Sequence, residues 1–171
     1  DGKMLHVKKK EMADGKDLGF VGQIDHVDSE IIKNILDRDY VPIICPIGYD
    51  DEYLPYNINA DDAAYSVATS LKAAKLAFLT DVEGLYSDFN DKSTLISEIR
   101  IDDAKALLQS GDIKGGMIPK LTNCISAIEK GVSRVHILDG RIPHSLLLEI
   151  FTNKGVGTAI IGNNEEKFMK D

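Results

Sequence analysis

Cysteine is scarce in this chain of 171 residues, which has only Cys45 and Cys124. They stand far apart in sequence and form no metal-type cluster, which reads as two reduced thiols in a reducing compartment, the cytoplasm, rather than a disulfide framework. Positive charge is also in deficit: 20 Lys and Arg face 28 Asp and Glu, a net charge of −8 at pH 7. A net anion is a poor general ligand for a phosphate backbone, so nucleic acid is disfavoured as a partner. No apolar run approaches the roughly 20 residues of a membrane span. Several catalytic signatures are missing. His6, His26, His136 and His144 show no metal-ligand spacing, and H-E-x-x-H does not occur. There is no G-x-S-x-G, no signature around either cysteine, and no Walker A order. The acidic stretch with Asp88 and Asp91 lacks the order of an EF-hand and reads as a solvated loop.

What remains is an ordinary globular composition, 43% hydrophobic and 28% charged with 14 Gly and 5 Pro. The length fits one domain over residues 1–171, with enough chain to bury a core. No repeat or low-complexity linker divides it. Asp1 to Glu11 reads as part of a hairpin inside a protein rather than a natural start. Leu5–Lys9 and Phe20–Val27 are predicted strands. Ile31, Ile32, Ile35 and Leu36 recur at helical spacing behind a cap at Asp28 or Ser29. Val41–Ile47 is short and apolar, the pattern of a buried strand. Ala60, Ala63, Ala64, Val67, Ala68 and Leu71 form one helical stripe. Strands at Leu76–Thr80, Val135–Leu138 and Thr158–Ile161 alternate with helices around Ile101–Leu108, Ile118–Ile128 and Pro143–Phe151. The alternation predicts an α/β fold, a three-layer α/β/α sandwich with a mainly parallel sheet. Ligands in such folds bind beyond the carboxyl ends of the strands.

Two of the three candidate segments sit at such ends, Asn57–Asp62 and Asp81–Gly84. Asn57-Ile-Asn-Ala-Asp-Asp62 gathers two amides and two carboxylates at a helix start. Asn suits a ligand carboxylate and Asp suits a catalytic lysine, but Asn59 as an N-cap with Asp61 and Asp62 on the helix dipole is the better reading from composition alone. Gly111-Asp-Ile-Lys-Gly-Gly-Met-Ile-Pro-Lys120 brings glycines to a helix N-terminus, where backbone N–H groups can approach an anion and Lys120 can neutralise a transferring phosphoryl group. A flexible loop with a surface lysine explains the same spacing equally well. Thr80-Asp-Val-Glu-Gly84 is compatible with a nucleotide cradle or an ordinary turn.

In order and spacing, Asn57–Asp61, Thr80–Gly84 and Gly116-Met-Ile-Pro-Lys120 together resemble the amino acid kinase family, within it the members that phosphorylate N-acetyl-L-glutamate in arginine biosynthesis. The resemblance runs from Asp1 to Ile161 and implies the carbamate kinase-like fold. It implies phosphoryl transfer from MgATP to the side-chain carboxylate, with the magnesium ion bound through the ATP phosphates. By the same resemblance Asn57 and Asn59 bind the substrate, Lys120 stabilises the transferring group and Asp61 orients the catalytic lysines. Asp81, Val82, Glu83, Gly84, Leu85 and Tyr86, with Asp112, Ile113 and Lys114, match the ATP-binding segments. The attacking carboxylate is ionised at pH 7, so no general base is needed. His144, Glu149 and Gly155 match arginine-site positions of the arginine-inhibited members; an amphipathic helix ending at Gly155 is the plain reading of the same stretch.

The resemblance also implies an amino-terminal lobe with a second lysine, a glycine-rich loop and an arginine, none of which this chain matches. The expectation is therefore a carboxyl-terminal, nucleotide-binding portion that is inactive alone and belongs to a homo-oligomeric parent. Glutamate 5-kinase or aspartokinase activity, and a non-catalytic module binding nucleotide or arginine, are the alternatives.

Overall fold

Unit 1, residues 1–71, and unit 2, residues 72–171, are each compact in the computed structural model. Residues 3–12, 14–88, 91–113, 115–152 and 155–165 are described.

Unit 1 begins with an antiparallel hairpin, β1 (Leu5–Glu11) and β2 (Asp17–Val27). The alternation of apolar and charged residues in β1 puts Leu5 and Val7 in the core and leaves Lys8 and Lys9 outside. Helix α1 (Ser29–Leu36) starts where Asp28 accepts the Glu30 N–H at 3.1 Å, one of the two caps expected there. Two three-residue strands follow, β3 (Ile47–Tyr49) and β4 (Pro55–Asn57). They pair with each other, and β3 meets β1 while β4 meets β2, closing a small barrel in the order β1-β2-β4-β3. Gly48 is needed for this closure, because a Cβ there would lie 2.4 Å from Val7 and 2.7 Å from the Leu5 carbonyl. Helix α2 (Ala60–Leu71) carries the expected small-residue stripe, and Ala63 and Val67 pack on Leu5, Val7, Tyr56 and Ile58.

The expected buried strand at Val41–Ile47 is not there. Residues 41–46 form no strand, and Val41 and Ile43 are 87% and 93% exposed. An apolar run becomes a buried strand only where neighbours pair with its backbone and cover its faces. Among the described residues no strand pairs with 41–45.

In unit 2 the sheet runs in the order β5-β9-β10-β8. Its members are β5 (Lys75–Thr80), β8 (Glu98–Arg100), β9 (Arg134–Asp139) and β10 (Thr158–Ile161), and a separate ribbon pairs β6 (Leu85–Tyr86) with β7 (Leu95–Ile96). β5 with β9 and β10 with β8 are parallel, whereas β9 and β10 are antiparallel. The fold is thus α/β as expected, with mixed rather than uniformly parallel pairing. All six residues of the interior strand β9 are buried. Helices α3 (Ile101–Gln109) and α4 (Met117–Glu129) lie against this sheet, and α5 (Ser145–Phe151) packs on β9. On α4, Leu121, Cys124 and Ala127 have no exposed surface. Each large aliphatic side chain buried in this way contributes about 1.5–3 kcal/mol.

Candidate active site

In unit 1 the candidate residues cluster at the start of α2. Asn57 ends β4, held in register opposite Ile47 and Val21, and is exposed. Asn59 is the helix cap: its Oδ1 accepts the N–H groups of Asp61 at 2.9 Å and Asp62 at 3.1 Å. The capping reading therefore describes Asn59. Asp61, half-buried on the first turn, carries its carboxylate at the positive end of the helix dipole.

In unit 2 Asp81–Tyr86 follow the end of β5, beside the end of β9. The two strands are parallel and in register to Thr80 and Asp139, so both carboxyl ends open at one edge of the sheet. The Gly140 N–H donates to the Thr80 carbonyl at 2.8 Å and ties the two exits together. Beyond Thr80 the chain turns at once, with the Val82 N–H donating to Thr80 Oγ1 at 3.1 Å. Buried Thr158 anchors the far side: its Oγ1 accepts the Leu85 N–H at 2.8 Å and donates to the Ile96 carbonyl at 2.6 Å. Gly84 is required by this contact, since a Cβ would lie 2.4 Å from Thr158 Oγ1. Residues 80–86 are thus a fixed loop at the carboxyl ends of the strands.

The loop carries its own electrostatics. The Tyr86 hydroxyl donates to Glu83, and Lys92 Nζ lies 3.4 Å from the other Glu83 oxygen. Burial, together with the Glu83 carboxylate, pushes the Tyr86 phenol up to about 12. The Tyr86 hydrogen bond and the Lys92 charge hold Glu83 below the usual carboxylate range.

Lys120 reaches β5, the strand that leads into this loop. Lys120 lies in the first turn of α4, its Nζ 5.3 Å from the centre of the Phe78 ring, and Phe78 is buried on β5 three residues before Asp81. Asp112 Oδ2 accepts from Ser110 Oγ at 2.7 Å beside Gly111, whose φ of +80° is the left-handed conformation glycine favours. Ile113 is half-buried, and Lys114 lies outside the described residues.

A pair at the end of β9 was not singled out in the sequence. Arg141 donates from Nε to Asp139 Oδ1 at 2.9 Å and from Nη2 to Oδ2 at 2.8 Å. Asp139 is buried while two thirds of the Arg141 side chain is exposed, 67%. The guanidinium draws the Asp139 carboxyl down to about 2, and Asp139 with Asp81 and Glu83 raises the Arg141 pKa. Asp-Gly-Arg directly after an apolar strand was the available signal, the same strand-end logic that pointed to Asp81. Among the described residues no group of three His, Cys, Asp or Glu side chains is placed to hold a metal ion.

His144, Glu149 and Gly155 surround α5. His144 precedes the helix, exposed and at φ +62°, and Gly155 follows it at φ +44°. Glu149 is buried: one carboxylate oxygen lies 3.0 Å from His136 Nδ1, and the other accepts the N–H groups of Val156 at 2.7 Å and Gly157 at 3.3 Å. It ties the turn after α5 to the middle of β9.

A family model for the amino acid kinase family matches residues 2–139. The chain belongs to the amino acid kinase family. Among family members of known name, acetylglutamate kinase from Campylobacter jejuni subsp. jejuni serotype O:2 is 54% identical over 160 residues, 94% of this chain and 55% of that protein. Acetylglutamate kinase from Caldanaerobacter subterraneus subsp. tengcongensis is 52% identical over 94% of this chain and 53% of its own length. The chain spans about half the length of the curated relatives it matches. N-acetylglutamate synthase from Neisseria gonorrhoeae, solved with coenzyme A and L-arginine, superposes with a TM-score of 0.85 at 31% identity over 94% of this chain and 37% of that one. Carbamate kinase from Giardia lamblia bound to AMP-PNP shares the fold, with a TM-score of 0.65 at 20% identity over 92% of this chain and 52% of that one. No helix among the described residues is long and apolar enough to cross a membrane.

Proposed function

We propose that this chain is the nucleotide-binding part of a kinase that transfers the γ-phosphoryl group of MgATP to the side-chain carboxylate of N-acetyl-L-glutamate. The observation that carries the reading is the 54% identity to an acetylglutamate kinase across 94% of the chain. The geometry of unit 2 supports it: a fixed loop, a lysine and an arginine lie about the joint carboxyl ends of two parallel strands, the usual place for a ligand in an α/β sheet.

Phosphoryl transfer depends on positioning and charge neutralisation more than on covalent chemistry. Residues 81–86 and 112–114 hold the nucleotide. Lys120 donates to the phosphoryl group as its charge spreads in transfer, and Arg141, oriented by Asp139, offers its outer N–H groups to the polyphosphate. Asn57 receives the acetylglutamate, with Asn59 and the dipole of α2 beside it, and Asp61 orients the lysines. The attacking carboxylate needs no base at pH 7. Magnesium would arrive with the nucleotide, held through its phosphates, as is usual for Mg²⁺ in kinases. When bound with the nucleotide, that ion would supply charge neutralisation to the phosphates. The acetylglutamate site, turnover and any homo-oligomer belong to the whole protein.

Calorimetric titration of the chain with MgADP and MgATP tests the reading. One site per chain is expected, weakened at least about tenfold by Gly84→Ala through displacement of the loop. No heat with either nucleotide, or a Gly84→Ala chain that binds as well as the parent, would overturn it.

A second site reading, L-arginine at α5, is supported by the arginine-bound N-acetylglutamate synthase that superposes on this chain. His144 and Gly155 bracket the segment, and a guanidinium would compete with His136 and two N–H groups for Glu149. Titration with L-arginine separates it from nucleotide binding.

A further inference from the structure

Taking a carboxylate out of water is costly unless hydrogen bonds replace its hydration. Glu149 on α5 is such a group, its side chain 3% exposed, and the nucleotide reading gives it no part. It meets His136 in the middle of β9. The neighbours of His136 in register, Ala77 on β5 and Ala159 on β10, are small and leave the imidazole room on that face of the sheet. The ring has one polar contact among the described residues, its Nδ1 with Glu149 at 3.0 Å, while its buried Nε2 has no hydrogen-bond partner there. Holding Glu149 is therefore what the imidazole contributes.

The other Glu149 oxygen accepts the N–H groups of Val156 at 2.7 Å and Gly157 at 3.3 Å. These two residues stand directly before Thr158, the first residue of β10. Side chains alternate along a strand, so Thr158, opposite Ile137, lies on the face of the sheet away from His136. On that face its Oγ1 holds the Leu85 N–H and the Ile96 carbonyl, one group from each strand of the β6–β7 ribbon. A continuous run of hydrogen bonds and two peptide units thus leads from α5 on one face to the loop of residues 81–86 on the other. The first residue of a strand is where the ladder frays most readily. Pairing with β9 and β8 holds the chain after Thr158, and Glu149 holds it before.

We propose that Glu149 is a positioning residue for the nucleotide loop: steadied by His136, it clamps the Val156 and Gly157 N–H groups and so keeps Thr158 Oγ1 on Leu85 and Ile96. The proposal rests on the nucleotide reading of residues 81–86 and adds to it a residue on the other face of the sheet. A change at Glu149 reaches the loop through Thr158.

The test is a double-mutant cycle of Glu149→Leu and Thr158→Val in the full chain, at a temperature where each variant is folded by circular dichroism. Amide exchange at Leu85 and titration with MgADP are the two readouts. Glu149→Leu alone speeds Leu85 exchange and weakens MgADP by about tenfold each, the expected loss for hydrogen bonds to a charged group. In the Thr158→Val background the same substitution adds less than about twofold to either, because the path is already cut. Glu149→Gln, whose amide oxygen still accepts the N–H groups, recovers most of both. Val132→Ala, at a buried aliphatic position before the other end of β9, lowers stability and leaves the MgADP affinity as it was. Should Glu149→Leu not fold, His136→Leu takes its place in the cycle with an effect of about threefold, since the carboxylate and its two N–H contacts remain. Leu85 exchange indifferent to the α5 or β9 substitution overturns the proposal, as do effects that multiply in the double variant or a Gln variant no better than Leu. So does a Val132→Ala chain that loses as much MgADP affinity as Glu149→Leu. A parent chain that binds no MgADP overturns the nucleotide reading instead, and Leu85 exchange still decides this one.

Discussion

Removing the Thr158 hydroxyl should release the loop from the sheet. Thr158→Val keeps the shape and burial of the side chain and deletes one oxygen. That oxygen serves two backbone groups, the Leu85 N–H at 2.8 Å and the Ile96 carbonyl at 2.6 Å, at a residue with no exposed surface. A buried backbone group left without a partner costs about 1–3 kcal/mol, and the carbonyl, with two lone pairs, sits at the lower end of that range. The sum is about 3 kcal/mol, a large part of the 5–15 kcal/mol typical of a domain. With an m-value of about 2 kcal/mol/M, the urea midpoint of unit 2 falls by about 1.5 M. Thr158→Ser is the control: it keeps both hydrogen bonds, loses one methyl and costs about 1 kcal/mol. Far-UV circular dichroism in urea gives the midpoints, and MgADP titration reports the loop. The order parent, Ser, Val is expected in both assays. A Val variant within about 0.5 kcal/mol of the parent, or above the Ser variant, would refute the bridging role.

Other outcomes follow from the charged groups. Asp139 is held near 2 by Arg141, below its unfolded value, so it stabilises the fold above pH 4 and this contribution is lost as pH falls from about 4 to about 2; acid titration of Arg141→Gln should lack that part of the transition. Tyr86, raised to about 12, opposes unfolding below pH 10 and loses that contribution between about 10 and 12, and it should be the late phenol in an ultraviolet titration that Tyr86→Phe removes. Glu149→Leu should destabilise unit 2 by about 3 kcal/mol, since it strands His136 and two N–H groups, and speed amide exchange at Val156 and Gly157. In a complete enzyme Lys120→Ala should lower kcat by far more than it raises the KM for ATP; an unchanged kcat would take Lys120 out of the chemistry.

The long elements were legible because their periodicity is a direct image of burial. The alanine stripe from Ala60 to Leu71 and the apolar runs Leu76–Thr80 and Val135–Leu138 fell within the elements expected. The barrel was not legible. β3 and β4 are three residues each, too short for alternation to register, and their pairing depends on β1 and β2 from far earlier in the chain. Val41–Ile47 failed for the opposite reason: its composition describes a covered strand, and cover is a property of neighbours. At the site, Asp81 and Lys120 could be picked out because strand ends and glycine-rich helix starts have a sequence form. Thr158 could not, because its partners lie more than 60 residues away and no spacing links them. Asn59 is a residue type that suits both a cap and a ligand contact, and the Asp61 and Asp62 N–H groups show that it caps α2.

The reversed strand β10 makes this edge of the sheet sensitive to chain length. Because β10 runs against β9, it enters the sheet at the edge where β5 and β9 leave it, which is how Thr158 reaches Leu85, 73 residues earlier. Gly157 sits in that entrance so tightly that a Cβ would lie 2.2 Å from the Ile137 carbonyl. A single residue inserted between Val156 and Thr158 would have to be absorbed in that space or would shift the strand by one position. A shift by one turns every side chain of β10 to the other face. The hydroxyl would then point away from Leu85, and Gly157 or the inserted residue would take its place. Substitutions across β10 can be graded by size and polarity, but insertions and deletions before it act as an on–off change for the loop.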